Sequence, residues 1–239
     1  MRFISYACVA GLCLAIGGCG SKGSSYKPTP AKGPEKASAS SLTPETAFPL
    51  AVGNQWVYLA EMAAAPTGKQ GGRIAQDIVW KVSKVENLPD GKRGTIDVLV
   101  KDKVTDRQVW LVTSKGVFQE SMSMGKMKFN PPLPAMLFPM EDGRQFSWKG
   151  PSPRPFGNTI TATSKSKVLA ATIVDTQKEP LSAIPIETNT SFGSSQKGIA
   201  VSTAYFAPKV GMVRYNHAFR SPEGQSVTRL TLKSFRAAQ

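Results

Sequence analysis

A chain of 239 residues with 30 Lys and Arg against 16 Asp and Glu carries a formal net charge of +14, and it is long enough for a substantial core. Its three cysteines, Cys8, Cys13 and Cys19, lie near the start of the chain. The remainder therefore has no disulfide and no thiolate for catalysis or zinc. His217 is the only histidine, so histidine clusters are excluded as well.

The chain opens Met-Arg-Phe-Ile-Ser-Tyr, with one positive charge at Arg2, and an apolar run follows from Tyr6 to Ile16. This is the layout of an export signal over residues 1–18, and it is too short for a stable spanning helix. The run ends Ile16-Gly17-Gly18-Cys19. An aliphatic residue, two small residues and Cys resemble the recognition box of bacterial lipoproteins. The resemblance implies cleavage before Cys19 and lipidation of its thiol. Two or more acyl chains anchor firmly, at about 0.8 kcal/mol per buried methylene. Residue 20 is Gly rather than Asp. That resemblance therefore implies the outer membrane, facing the periplasm.

Residues 19–47 are rich in Ser, Lys, Pro, Ala and Gly, with Tyr26 the only aromatic. The composition predicts a disordered tether after the lipidated cysteine, with an r.m.s. span of roughly 30 Å.

Beyond it, strand signals dominate, and no helical periodicity exceeds about two turns. Ile78, Trp80 and Val82 alternate with Asp77 and Lys81, and Ile96, Val98 and Val100 with Asp97 and Lys101. Ile199, Val201, Thr203 and Tyr205 share one face, and Leu230 and Leu232 alternate with Arg229, Thr231 and Lys233. Turn signals at Pro89-Asp90-Gly91 and Ser221-Pro222-Glu223-Gly224 separate the runs. The expected fold is all-β: an antiparallel open sheet or partial barrel with one wet face.

An internal repeat organises this body. Phe48-Pro49-Leu50-Ala51-Val52-Gly53-Asn54-Gln55-Trp56-Val57-Tyr58 aligns without a gap on Phe138-Pro139-Met140-Glu141-Asp142-Gly143-Arg144-Gln145-Phe146-Ser147-Trp148. Pro and Gly set a turn, and two aromatics two residues apart face one side of the strand that follows. Two related β-meander units are expected, residues 48–137 and residues 138–239. They are joined by a segment that holds Met122, Met124, Met127, Phe129 and Met136 among several prolines. Met adapts to irregular apolar partners, so these residues are candidates for an apolar flap, against the simpler reading of a connector that fills gaps.

Charge is uneven between the units. Residues 48–142 hold 12 Lys and Arg and 10 Asp and Glu, whereas residues 143–239 hold 13 and 4. Arg144, Lys149, Arg154, Lys165 and Lys167 lie in a stretch without acids. They are candidates for an anionic envelope polymer, lipid or acidic envelope protein. Solvated basic strand faces are the alternative. Nucleic acid is not expected as a partner of an exported chain.

The chain also resembles a group of uncharacterised bacterial lipoproteins. These open with Pro-x-x-x-Gly-Asn-x-Trp-x-Tyr, here Pro49 to Tyr58, and close with aromatic-x-Ala-Pro-x-Val-Gly-x-Val-x-Tyr, here Tyr205 to Tyr215. Lys209 stands where a Gly is common, which puts a tight turn there in doubt. The resemblance implies an open antiparallel sheet or partial barrel, distantly similar to periplasmic lipoprotein carriers, and it brings no catalytic residues.

Catalytic patterns are weak. Ser123-Met124-Gly125-Lys126 and Ser194-Ser195-Gln196-Lys197 match Ser-x-x-Lys but sit in Gly-containing loops rather than on helices. His217 reads as a surface or half-buried strand residue. No metal, cofactor or catalytic residue is expected. The expected function is a non-enzymatic binding or assembly component of the envelope. The alternative is a carrier of lipid or lipoprotein that uses an apolar groove; a deep apolar cavity would favour it, and a filled core the first.

Overall fold

The computed structural model describes residues 38–154, 157–193 and 198–238. Ile16, Gly17, Gly18 and Cys19 lie outside the described residues, as do Ser194 to Lys197. A 3-10 turn at Ala39–Ser41 and a short helix, α1 (Pro44–Ala47), precede thirteen strands. These are β1 (Gln55–Pro66), β2 (Gly72–Leu88), β3 (Gly91–Val100), β4 (Lys103–Thr113), β5 (Gly116–Met122), β6 (Met127–Leu137) and β7 (Gln145–Arg154). There follow β8 (Gly157–Val168), β9 (Thr172–Asp175), β10 (Pro180–Phe192), β11 (Gly198–Ala207), β12 (Gly211–Ser221) and β13 (Gly224–Arg236).

Neighbours run β6-β5-β4-β3-β2-β1-β13-β12-β11-β10-β8-β7, with short β9 beside β10, and every pairing is antiparallel. The all-β antiparallel expectation holds, and the sheet curls into a nearly closed barrel. Each half is a meander. The first strand of one half pairs with the last strand of the other, from Gln55↔Arg236 to Pro66↔Gly224.

The opposite seam, β6 against β7, is not laddered among the described residues. Its sequence explains this. Pro131, Pro132 and Pro134 on β6 and Pro151 and Pro153 on β7 have no N–H to donate, and proline is confined to sheet edges for that reason. Side chains hold the seam instead. Trp148 Nε1 donates to the Pro131 carbonyl at 2.9 Å, and Phe129 meets Trp148 edge-on at 5.9 Å.

The repeated motif builds the same local structure twice. Gly53 N–H donates to the Val82 carbonyl, Val82 N–H to the Asn54 carbonyl, and Asn54 N–H to the Ala51 carbonyl. In the second copy Gly143 donates to Val168, Val168 to Arg144, and Arg144 to Glu141. Even the side chains correspond, since the Asn54 amide and the Arg144 guanidinium each donate to the carbonyl of the motif proline, Pro49 or Pro139.

One end of the barrel is filled. Phe48, Trp56, Trp80 and Trp110 are buried with Tyr58, with ring centroids 4.8 Å apart for Phe48–Trp110 and 5.5 Å for Tyr58–Trp80. Each such pair adds about 0.5–1.5 kcal/mol beyond the area it buries. The opening and closing motifs meet here. Trp56 Nε1 donates to the Val210 carbonyl at 2.5 Å, and the Tyr58 hydroxyl to the Met212 carbonyl at 2.8 Å.

Two expectations need correction. Residues 38–47 were expected in the disordered tether, yet Ala39, Leu42 and Ala47 are buried in the core. Pro44 at the first turn and a Thr43–Thr46 capping box start α1, whose apolar side closes the filled end. Lys209 does form a tight turn, at φ 64°, with Val210 N–H donating to Ala207 and Lys209 N–H to the Thr46 carbonyl of α1. On β11, Ile199 and Val201 face outward, 50% and 44% exposed, while Ala200, Ser202, Ala204 and Phe206 face inward.

The paired motif glycines give a test of the repeat. Both have positive φ, 96° at Gly53 and 81° at Gly143, and a Cβ on Gly143 meets nothing within 4 Å. Gly143→Ala should destabilise by about 1–2 kcal/mol through backbone conformation alone, with Gly53→Ala costing a similar amount. Urea midpoints unchanged by either substitution would show that the turn does not need the left-handed conformation.

Candidate functional site

The other feature of the barrel is a space. A cavity of about 550 Å³ lies between the filled end and a second apolar cluster that contains Met127, Phe129, Trp148, Phe192 and Phe219. Its floor is aromatic and aliphatic: Trp80, Trp110, Phe206, Met212 and Leu230. Its side toward the unladdered seam is formed by Leu133, Pro134 and Ala135 of β6 with Trp148, Ser152 and Pro153 of β7. Such a volume falls within the roughly 300–1,000 Å³ of ligand pockets.

Strand register places a polar row across this apolar interior. Ser166 pairs with Thr188, Thr188 with Ser202, Ser202 with His217, and His217 with Thr228, across β8, β10, β11, β12 and β13. Side chains at paired positions share a face, so the five share one level of the inner face, and Thr188, Ser202 and His217 among them line the cavity. The next level toward the filled end is Val168, Ile186, Ala204, Tyr215 and Leu230.

The hydroxyls are held in pairs. Ser166 and Thr188 Oγ atoms are 2.8 Å apart, and Ser164 and Thr190 Oγ atoms 2.9 Å apart. The Tyr215 hydroxyl bonds to the Ser202 side chain, yet burial dominates and raises its pKa. Tyr215 also stacks on His217, at 6.1 Å. On the far wall Trp110 Nε1 and Gln119 Nε2 both donate to Gln108 Oε1, at 3.1 and 3.3 Å. No Asp, Glu, Lys or Arg lines the cavity among the described residues. Asp106, which accepts from Gln108 Nε2 at 3.3 Å, stays outside it.

The sequence candidates fall in different places. Met122 and Phe129 line the cavity, while Met127 packs beside them in the second cluster. Met136 is fully buried in the main core, and Met124 is 49% exposed in the β5–β6 turn. The segment is thus a wall of the barrel, the edge strand β6, rather than a loop laid over a groove. Alternation along that strand turns its apolar positions inward.

Lys149, Lys165 and Lys167 are exposed on the outer face of β7 and β8, opposite inward-facing Trp148, Ser164 and Ser166. Glu187 on β10 stands beside Lys167 in register, an acid that lies outside the local sequence window. Arg144 is occupied at its own motif turn by the Pro139 carbonyl. Arg154 ends β7, and its side chain is outside the described residues. Ser123 and Lys126 sit in one tight turn, with Lys126 N–H donating to the Ser123 carbonyl. That is not the helical geometry a Ser–Lys pair requires.

Sequence reasoning missed the polar row, although His217 is the half-buried strand residue it expected. Ser, Thr and a single His carry no distinctive spacing, and only the alignment of five strands brings them to one level.

No family model matches the chain, and no curated protein matches it. Two solved structures show a general likeness. One is a provisionally described lipoprotein from Parabacteroides distasonis, 13% identical, with a TM-score of 0.41, covering 79% of this chain and 97% of that one. The other is a provisionally described exported protein with a YmcC-like fold from Bacteroides fragilis, 15% identical, with a TM-score of 0.41, covering 80% and 99%. Likeness at this level assigns neither family nor role.

The interior predicts an acid sensitivity. Burial pushes the His217 pKa below its ordinary value of 6.5. The groups that face it, Tyr215, Ser202 and Thr228, carry no charge near neutral pH. The unfolded chain therefore takes up the proton more readily than the folded one. This contribution to stability is intact above pH 6.5 and falls as pH drops through the unfolded pKa toward the folded one. His217→Gln should flatten that part of the urea midpoint profile between about pH 7.5 and pH 5. Identical profiles for the two proteins would place His217 in water.

Proposed function

We propose that this protein is a non-enzymatic lipoprotein of the bacterial envelope that holds an apolar ligand inside its barrel, as a carrier or a store. The observation behind this is the interior cavity of about 550 Å³, floored by Trp80, Trp110, Phe206, Met212 and Leu230. A barrel that served only to present its outer surface would gain stability by filling that space, since each void forfeits dispersion contacts. The cavity also reaches the unladdered β6–β7 seam. There a ligand can pass between proline-bearing strands without breaking a backbone ladder. The sequence supports the address: an export signal, Cys19 after Ile16-Gly17-Gly18, and a polar stretch before the folded body.

The interior orders the two functional expectations. Binding or assembly through an outer surface came first from sequence, and the carrier second. The open cavity favours the carrier. Exposed Lys149, Lys165 and Lys167 are then suited to hold the barrel near anionic headgroups, where a lipid ligand is loaded or released.

Two experiments test the proposal. Ala204 faces the cavity from β11, so Ala204→Phe puts a ring into the space that a ligand would occupy. Binding of an environment-sensitive fluorescent fatty probe should fall at least about ten-fold while the thermal midpoint is kept or raised, because filling a void adds contacts. Probe binding unchanged by the ring would place the ligand elsewhere. For the anchor, Cys19→Ser should abolish incorporation of labelled palmitate and leave the precursor unprocessed; labelling at the normal level would refute lipidation at that residue.

A further inference from the structure

The chemistry of the cavity wall restricts what it can hold. This inference rests on the carrier reading and names the ligand class. Among the described residues the wall has no ionised side chain. A charged group brought inside would lose its hydration with no counter-charge, a cost of several kcal/mol per ion. His217 and Tyr215 do not supply one. Burial lowers the pKa of the first and raises that of the second, which keeps both neutral near pH 7.

A pure hydrocarbon is also a poor match. The Ser166–Thr188 and Ser164–Thr190 pairs each share one hydrogen between two hydroxyls. A hydroxyl pair of this kind retains one unused hydrogen and free lone pairs. An alkane would cover these groups and use none of that spare capacity, whereas a hydroxyl or ester would. Ser166, Thr188, Ser202, His217 and Thr228 share one level, Ser164 and Thr190 lie one level further from the filled end, and an apolar level follows toward it.

We infer that the ligand is an uncharged single-chain amphiphile whose hydroxyl or ester end docks on Thr188, Ser202 and His217 while its hydrocarbon lies against Trp80, Trp110 and Leu230. A volume of about 550 Å³ suits one such molecule. The row supplies both donors and acceptors, which suits a glycerol- or alcohol-type head over a carboxylate or an ammonium. Ser202 is the centre of the row, bonded to Tyr215 and flanked in register by Thr188 and His217.

The test compares four probes of equal chain length on the full chain by calorimetry at about pH 8, where a carboxylate is ionised: decane, 1-decanoylglycerol, decanoate and decyltrimethylammonium. 1-Decanoylglycerol should bind at least about ten-fold more tightly than either ion. A Thr188→Val/Ser202→Ala double variant, close in volume, should weaken 1-decanoylglycerol about ten-fold and leave decane unchanged or tighter. Circular dichroism and the thermal midpoint check that it folds, and Ser202→Ala serves as a milder second variant with the same direction of effect. Equal binding of decanoate or decyltrimethylammonium, or a glyceride affinity indifferent to both variants, would overturn the ligand class while leaving the carrier proposal standing. Failure of all four probes, decane included, would overturn the carrier proposal and this inference with it.

Discussion

Two aromatic side chains on the first strand donate hydrogen bonds into backbone carbonyls about 150 residues further along the chain, and the rest of the barrel depends on that tie. Trp56 reaches Val210, and Tyr58 reaches Met212. Both donors are buried, and a buried indole N–H or phenol O–H without a partner is costly, so the closing turn has to lie where it does. With that turn fixed, β13 runs back along β1 and the two meanders join in one sheet. The last residues are drawn in as well: Ala238 N–H donates to the Asn54 side chain at 2.7 Å, while the same amide donates to Pro49. Neither half carries its own closure, because the partner strand of each edge at this seam belongs to the other half.

The repeat predicts two equivalent seams, and the chain makes them different. Where β1 meets β13, the ladder is continuous apart from one bulge. Where β6 meets β7, prolines on both strands remove donors, and an indole, an edge-on aromatic contact and the apolar cluster around Met127 take their place. Side-chain contacts between two edges separate at lower cost than a ladder of backbone bonds. A barrel with one hydrogen-bonded seam and one packed seam has a definite place to open. It also avoids exposing a long unpaired edge to other chains, since proline-bearing strands are poor templates for pairing.

The interior follows from which face of each strand is small. On β11, branched Ile199 and Val201 face out, and Ala200, Ser202 and Ala204 face in. Facing them across the row are Thr188 and Ser166, which bond to each other rather than fill space. The filled end has the opposite composition, with Trp56, Trp80, Trp110 and Phe48 packed together. One sheet therefore supplies both a solid support and a hollow chamber. The aromatic support keeps the chamber from collapsing, because its floor is already close-packed.

Much of the architecture was legible in the sequence. Alternation at Ile78-Trp80-Val82 and Ile96-Val98-Val100 fixed the inward face of β2 and β3, since a period of two leaves only one choice of side. The gapless match of residues 48–58 with residues 138–148 located two turns that prove to share their hydrogen bonds, because a left-handed Gly after Pro specifies a local conformation that survives context. The same alternation put Ile199, Val201, Thr203 and Tyr205 on one face of β11, and that face proves to be the outer one. Apolar patterning reports the core face only when the interior is full, and here it is hollow. The tether was set too long because Leu42 and Ala47 look unremarkable in a Ser- and Pro-rich stretch, and only the aromatic-filled end of the barrel gives them something to cover. The polar row was invisible for a related reason. Ser166, Thr188, Ser202, His217 and Thr228 come from five strands, and strand register, set by long-range pairing, alone decides that they share a level. Sequence by itself determined the strands, the repeat and the export signature, which are local properties of the chain. Tertiary structure alone decided which seam is laddered and what the cavity wall presents, because each depends on pairing between residues far apart in the chain.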